Sequence, residues 1–144
     1  MATYNKFQDF VEQLGLAKHN LNTDALHVYL SNTVPSASLD AVKADLAEIA
    51  AGNGYTADGI DTLNTYAEAA GTGTLTGTKA VWTASGGSMA AFQYVVLMNF
   101  TQASPLKPLI AWWDYGSALT LLVGETFSVK FNGSDTTGTI FTIA

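Results

Sequence analysis

The sequence predicts a mainly β protein of the α+β class, an antiparallel β-sandwich or partial barrel with one or two short helices near the N-terminus. Its second half is rich in β-branched and aromatic residues, which occur in short runs separated by turn residues. Two stretches of the first half carry apolar residues at helical spacing. A chain of 144 residues has the size of one domain, and it contains no cysteine that could form a disulfide.

The first helix is predicted between residues 4 and 16. Its apolar residues follow the i, i+3, i+4, i+7 spacing of one helix face, at Phe7, Phe10, Val11 and Leu14. Thr3 is the expected N-cap, and Gly15 marks the end of the pattern. We therefore expect a short amphipathic helix here.

A second helix is predicted after Pro35. Apolar side chains again share one face, at Leu39, Val42, Leu46 and Ile49, and Gly52 would end the helix. Beyond it the pattern gives way to glycine, asparagine and alanine, which predicts a long loop. The expected organisation is a single domain, 1–144, with a helix–strand–helix segment at 1–52, a loop at 53–73 and antiparallel strands at 74–144.

The strands are predicted by alternation and by composition. Residues 25–32 alternate between a face expected to be buried (Leu26, Val28, Leu30) and one expected to be exposed (His27, Tyr29, Ser31). Further strands are predicted at 74–83, 92–100, 109–115, 119–123, 126–131 and 139–143. Residues 94–98 are apolar on both faces, so this strand should lie in the middle of a sheet.

The charge of the chain argues against binding to nucleic acid. Twelve acidic residues against six lysines give a formal net charge of -6, and arginine is absent. The lysines stand singly along the chain, whereas phosphate binding needs clusters of cations. Charged residues make up only 12% of the chain, so threonine, serine, asparagine and glycine, or a neighbouring protein, must cover much of the surface.

The apolar residues do not form a membrane segment. The longest apolar runs, 94–98 and 109–113, are far shorter than the roughly 18 to 20 residues that span a bilayer. The first six residues lack a basic start followed by an apolar stretch, which is the pattern of a signal peptide. We therefore expect no membrane span and no cleaved leader.

Two short patterns resemble catalytic motifs but fail in detail. The stretch 86–90 approaches a nucleophile elbow, but Ala90 stands where that motif requires glycine. The glycines of 71–79 resemble a phosphate-binding loop, but Lys79 falls one position late and the context is a strand. The paired carboxylates of a glycosidase remain an alternative, although no pair is singled out. We expect no enzymatic activity.

Metal and cofactor sites are not expected either. His19 and His27 are eight residues apart, without the ligand spacing of a zinc site, and both are predicted to lie at the surface. The stretches 58–61 and 132–135 carry oxygen ligands that suit calcium, but neither fits the twelve-residue EF-hand loop. Ordinary turns built on asparagine and aspartate are the favoured interpretation.

The motif Trp112-Trp113-Asp114-Tyr115 is the best candidate for binding another molecule. Adjacent residues of a strand face opposite sides, so one tryptophan should enter the core and the other should point outward or into an interface. An exposed aromatic side chain beside an acid is typical of a sugar-binding platform or of a protein-binding hot spot. Packing of both tryptophans in the core is the favoured interpretation, and the binding role is the alternative.

Several segments together resemble small virion structural proteins of tailed bacteriophages. They are the opening Met-Ala-Thr-Tyr-Asn-Lys-Phe, the strand at 24–33 with Pro35 after it, and the stretches 48–55, 92–97, 108–116 and 121–131. The similarity covers nearly the whole chain in the same order, and it departs from the family pattern at 60–74. It consists of structural residues, so it transfers no catalytic or binding residue.

The resemblance implies a non-enzymatic virion protein, and most specifically a capsid decoration or cement protein. Its partners would be the major capsid protein or other virion proteins, it would form a homo-oligomer such as a trimer, and it would reach the virion in the host cytoplasm. A glycan- or receptor-binding module of the tail or a fibre is the alternative. The candidate interaction residues are Phe7, Phe10, Tyr55, Tyr66, Trp112, Trp113 and Tyr115.

Overall fold

A computed structural model describes residues 2–144 and confirms the mainly β, antiparallel fold with one short helix. The helix α1 spans Asp9–Gly15. The strands are β1 Asn5–Lys6, β2 Leu26–Ser31, β3 Ile60–Asp61, β4 Thr65–Ala69, β5 Thr72–Thr78, β6 Ala80–Thr83, β7 Phe92–Asn99, β8 Leu109–Leu119, β9 Thr126–Val129 and β10 Thr137–Ile143. Two short 3-10 turns lie at Lys43–Asp45 and Phe131–Gly133.

The strands form two layers of a sandwich. The first layer is a five-stranded antiparallel sheet in the order β1-β8-β7-β2-β3. In the second layer β10, β5 and β4 pair in that order, and β9 pairs with β6. Only Lys79 separates β5 from β6, while residues 130–136 separate β9 from β10, so these four strands form two long bent strands side by side. The strand containing 94–98 is the central one of the five-stranded sheet, as predicted.

The five-stranded sheet is buried on both faces, which corrects the prediction for 25–32. Leu26, Val28 and Leu30 pack in the main core between the two layers. Tyr29, predicted to be exposed, is fully buried in a second core on the opposite face. The irregular segment 32–52 covers that face and buries Leu46 against it. The alternation therefore located the strand but not the layer that covers its outer face.

The predicted helix after Pro35 is wrong, because local side-chain bonds take up its backbone donors. The Asp45 carboxylate accepts the backbone N–H groups of Ala41 and Val42, both at 3.0 Å. Such short-range bonds compete with helical ones. Val42 also forms a β-bridge with Pro108, so the chain runs extended there.

The first helix is shorter than predicted, and its expected cap is wrong. It begins after Gln8, and Thr3 lies outside it. The residues before it, Asn5 and Lys6, pair instead with β8 opposite Trp112 and Ala111. The apolar spacing of the helix extends back to Phe7, which lies before the first helical residue. Periodicity alone therefore predicted a helix start that is too early.

The segment 53–73, predicted as a loop, contains two strands and the start of a third. β4 and β5 form a hairpin whose turn places Ala70 at φ 52° and Gly71 at φ 84°. Both residues of a two-residue type I′ turn need positive φ, which alanine rarely adopts. The turn was therefore hard to predict from this sequence. Farther along, residues 119–123 form no separate strand, because β8 runs on to Leu119.

Candidate interaction surface

Three of the seven candidate residues are buried. Phe7 belongs to the outer core, packed beside Trp112 at 4.6 Å between ring centroids. Phe10 belongs to the main core and contacts Phe141 at 5.7 Å. Tyr55 is also a core residue. None of these side chains offers a surface to a partner in this fold, so each has a structural role here.

Tyr55 ties the covering segment to the central sheet. Its hydroxyl donates to Glu48 Oε1 at 2.6 Å and accepts the backbone N–H of Leu30 at 3.1 Å. The same Glu48 oxygen accepts the backbone N–H of Asp58 at 2.7 Å. One tyrosine and one carboxylate therefore join β2 to the two segments that pass over it. Burial raises the pKa of Tyr55 far above its ordinary value, and Glu48 adds to this effect.

Removing this hydroxyl should destabilise the protein. Tyr55→Phe keeps the ring but leaves the Leu30 N–H buried without a partner, which costs about 1–3 kcal/mol of unfolding free energy. Urea denaturation followed by tryptophan fluorescence measures the loss. Tyr115→Phe is the control, because the Tyr115 side chain is exposed; an equal loss in both variants would contradict the role of Tyr55.

Two lysines hold the loop that follows Tyr55. Lys43 Nζ lies 2.6 Å from Glu48 and 2.8 Å from Asp58, and Lys107 Nζ lies 2.9 Å from Asp58. The bond to Lys43, with help from Lys107, lowers the pKa of Asp58. Asp58 belongs to the stretch 58–61, whose oxygen ligands suit calcium. Its oxygen is instead paired with side-chain cations.

The two tryptophans lie on opposite faces of β8, and each is half-buried. Trp112 packs on the outer core beside Phe7. Trp113 packs on the main core between Tyr4 at 5.7 Å and Phe131 at 5.9 Å. The sequence predicted that the two side chains face opposite sides of the strand. Neither ring points freely outward, however, because both faces of the sheet are covered.

Tyr115 projects from an irregular loop within β8. Phe92 pairs with Leu119 and Tyr94 pairs with Asp114, so four residues of β8 (115–118) lie opposite the single Gln93 of β7. Gly116 sits at φ 100°, in the backbone region that favours glycine. The Tyr115 side chain is 54% exposed. We call residues 115–118 the β8 bulge.

The conformation of the β8 bulge is fixed by Asp114. Its Oδ1 atom accepts the backbone N–H of Gly116 at 2.7 Å and the side-chain amide of Gln93 at 2.9 Å. The Tyr115 ring meets Phe127 edge-on at 5.8 Å. The bulge is therefore braced from both layers and presents its tyrosine in a defined position.

A tight turn at 122–125 lies at the same end of the sandwich, where β8 ends and β9 begins. Leu122 is 58% exposed and Val123 is 63% exposed. Glu125 closes the turn, because its Oε2 accepts the Leu122 N–H at 2.8 Å. Leu121 anchors the turn in the core and accepts the Met89 N–H at 3.0 Å. We call residues 114–118 and 122–125 together the bulge pole.

Sequence reasoning found Tyr115 but missed the other two apolar residues of the bulge pole. Leu122 and Val123 were assigned to a strand because aliphatic runs favour one. Gly124, at φ 88°, is the turn signal that could have separated them from it. Gly116 was predicted to lie between two strands, whereas the structure places it in a bulge within the single strand β8.

A groove opens beside the bulge pole, between β8 and β9. Its volume is ≈ 360 Å³, and Trp113 and Tyr115 form one wall while Val129 and Lys130 form the other. Lys130 is paired with Asp135 at 2.6 Å, which lowers the pKa of that carboxyl. The last candidate, Tyr66, lies elsewhere, half-buried across Gly73 of the β4–β5 hairpin.

The histidines differ from the prediction that both lie at the surface. His19 is buried, with 6% of its surface exposed, and His27 is half-buried and stacked on Phe100 at 4.2 Å. Within residues 2–144 no three or more histidine and acidic side chains gather as they would around a metal ion. Nor does any helix in this part of the chain have the length and apolarity to cross a membrane.

No family model matches the chain, and neither a curated protein nor a solved structure matches it. Its function is therefore inferred from its own sequence and geometry.

Proposed function

We propose that this protein is a non-enzymatic structural component of a tailed-phage virion, and specifically a capsid decoration protein that stabilises the shell by protein–protein contacts. The resemblance of its sequence to small phage virion proteins supports this role. The observation that carries the proposal is the bulge pole, where Tyr115, Leu122 and Val123 are each more than half exposed on a braced backbone.

The bulge pole has the chemistry of a contact surface. Covering an aliphatic or aromatic side chain contributes about 1.5–3 kcal/mol each, and tyrosine is enriched at binding hot spots. Small residues, Gly116, Ser117 and Ala118, allow close approach of a partner. Such a contact is modest by itself, but many copies on a symmetric shell would act together. A trimer at the local threefold positions of the shell would supply that multivalency.

Electron cryomicroscopy of the purified virion tests this role. We expect regular density of a 15.2 kDa domain on the outer surface of the shell, with the bulge pole at a contact. A virion without such density, together with a monodisperse monomer that does not bind assembled shells, would rule the proposal out.

An adhesion module of the tail or a fibre is the second candidate function. The groove beside Tyr115 favours it, because its aromatic wall of Trp113 and Tyr115 suits the apolar face of a sugar. Titration of glycans followed by tryptophan fluorescence tests it through Trp113. Density confined to the tail would favour this role, whereas fluorescence that no glycan changes would count against it.

A further inference from the structure

We infer that the bulge pole docks on a partner surface that is apolar at its centre and lined with lysine or arginine at its rim. This inference rests on the proposed function and deepens it, because it states the chemistry of the partner. It follows from the charges and contacts of the segments that form this end of the sandwich.

The apolar centre is provided by three side chains on two different turns. Tyr115 stands on the β8 bulge, while Leu122 and Val123 stand on the turn that leads into β9. The two turns are linked through Phe127, the second residue of β9, whose ring contacts Tyr115. A partner that covers the bulge pole would therefore need an apolar surface opposite these side chains.

The rim of the bulge pole carries acidic side chains without lysine. The segments that meet at this end, 52–57, 84–91 and 114–125, contain two acidic residues, Asp114 and Glu125, and no lysine. Lys130, in the adjacent groove, is paired with Asp135. An acidic partner would therefore bring like charges together, while a cationic rim would complement the pole.

The two carboxylates are already oriented for such a partner. Asp114 uses Oδ1 for its bonds to Gly116 and Gln93, and Glu125 uses Oε2 for its bond to Leu122. Within residues 2–144 neither Asp114 Oδ2 nor Glu125 Oε1 has a protein hydrogen-bond partner. Each carboxylate thus has one oxygen that accepts an internal hydrogen bond and one oxygen that is available to a partner. A partner cation would gain a preorganised acceptor at little cost in side-chain ordering.

Binding to shells assembled from the major capsid protein of the encoding phage, without this chain, tests the inference. Tyr115→Ala and Val123→Ser should each weaken co-sedimentation with the shells by about tenfold. The double variant Asp114→Asn, Glu125→Gln keeps the hydrogen-bond acceptors and removes both charges. It should weaken binding about tenfold at low salt and flatten the salt dependence between about 50 and about 300 mM NaCl.

Leu39→Ser is the matched control, because Leu39 is 78% exposed on the covering segment and outside the bulge pole. It should bind like the unchanged protein. Circular dichroism and thermal midpoints establish that each variant is folded, and Leu122→Ser replaces any variant that is not.

The outcomes separate the two proposals. If the unchanged chain binds shells but the pole variants bind equally well, or if Leu39→Ser is impaired as much as they are, the docking inference is wrong while the decoration role stands. If the unchanged chain binds no shells and gives no density on the virion, the decoration role fails, and the docking inference fails with it.

Discussion

Replacing Gly59 by alanine is expected to destabilise the protein by about 3 kcal/mol or more. A Cβ atom at this position would overlap the carbonyl oxygen of Val28 and lie 2.7 Å from the Val28 carbonyl carbon and 2.8 Å from Tyr29 Cα. These are backbone atoms of β2, which cannot rotate away. Gly59 also has φ 69°, where a side chain adds backbone strain of its own.

The matched control for this change is Gly71→Ala. Gly71 has a similar backbone conformation, with φ 84°, but an added Cβ would meet nothing within 4 Å. This variant should lose only the conformational contribution, about 1 kcal/mol. Equilibrium unfolding in urea measures both losses. Similar values for the two variants would show that β2 does not constrain the loop as the structure indicates.

Acidification from pH 6.5 to about 4 is expected to cost the folded protein up to about 3 kcal/mol through His19 alone. Burial lowers the pKa of His19 to about 4, although Asp24 and Asp9 partly oppose this effect. An unfolded histidine binds a proton near pH 6.5. Between these values the unfolded chain holds more protons, so stability falls as the pH falls.

The hydrogen bonds around His19 explain why the folded protein favours the neutral form of its imidazole. Asn99 accepts the backbone N–H groups of Thr101 and Gln102 with its Oδ1 atom, which fixes the orientation of its amide. Its Nδ2 group then donates to His19 Nδ1 at 3.1 Å and to Asp24 at 2.7 Å. His19 Nδ1 must therefore lack a proton. A second proton would break this contact inside the core.

Urea denaturation at closely spaced pH values measures this effect. His19→Gln should remove most of the slope between pH 6.5 and about 4.5, whereas His27→Gln should keep it. Asp45 and Asp58, whose pKa values are lowered by backbone bonds and by lysines respectively, lose their contribution only at more acidic pH. A flat profile for the unchanged protein in this window would contradict the assignment.

Much of the β architecture could be read from the sequence because strand composition is a local property. The run 94–98, apolar on both faces, predicted a central strand, and β7 occupies that position. The prediction of the second helix failed because side-chain hydrogen bonds redirected the backbone. Asp45 binds backbone N–H groups that a helix would have used, so apolar residues at helical spacing became separate anchors such as Leu46.

The candidate site was only half predictable for a related reason. The sequence marked Tyr115 as a candidate, but the same criterion also marked Phe7 and Tyr55, which are buried. The sequence does not distinguish an aromatic residue of the core from one of an interface, because both places remove the side chain from water. Leu122 and Val123 had the composition of a strand, but they lie beyond the end of β8 in the turn at 122–125, where they are exposed.

By itself the sequence determined the mainly β fold class, the central position of β7 and a surface short of charge, since these follow from composition and short-range alternation. The tertiary structure alone decided that segment 32–52 covers the outer face of the sheet, that His19 is buried, and that β8 bulges at 115–118. The physical reason for this division is that the periodicity of apolar residues indicates only which side chains are removed from water. Which neighbour covers them depends on contacts between residues far apart in the chain.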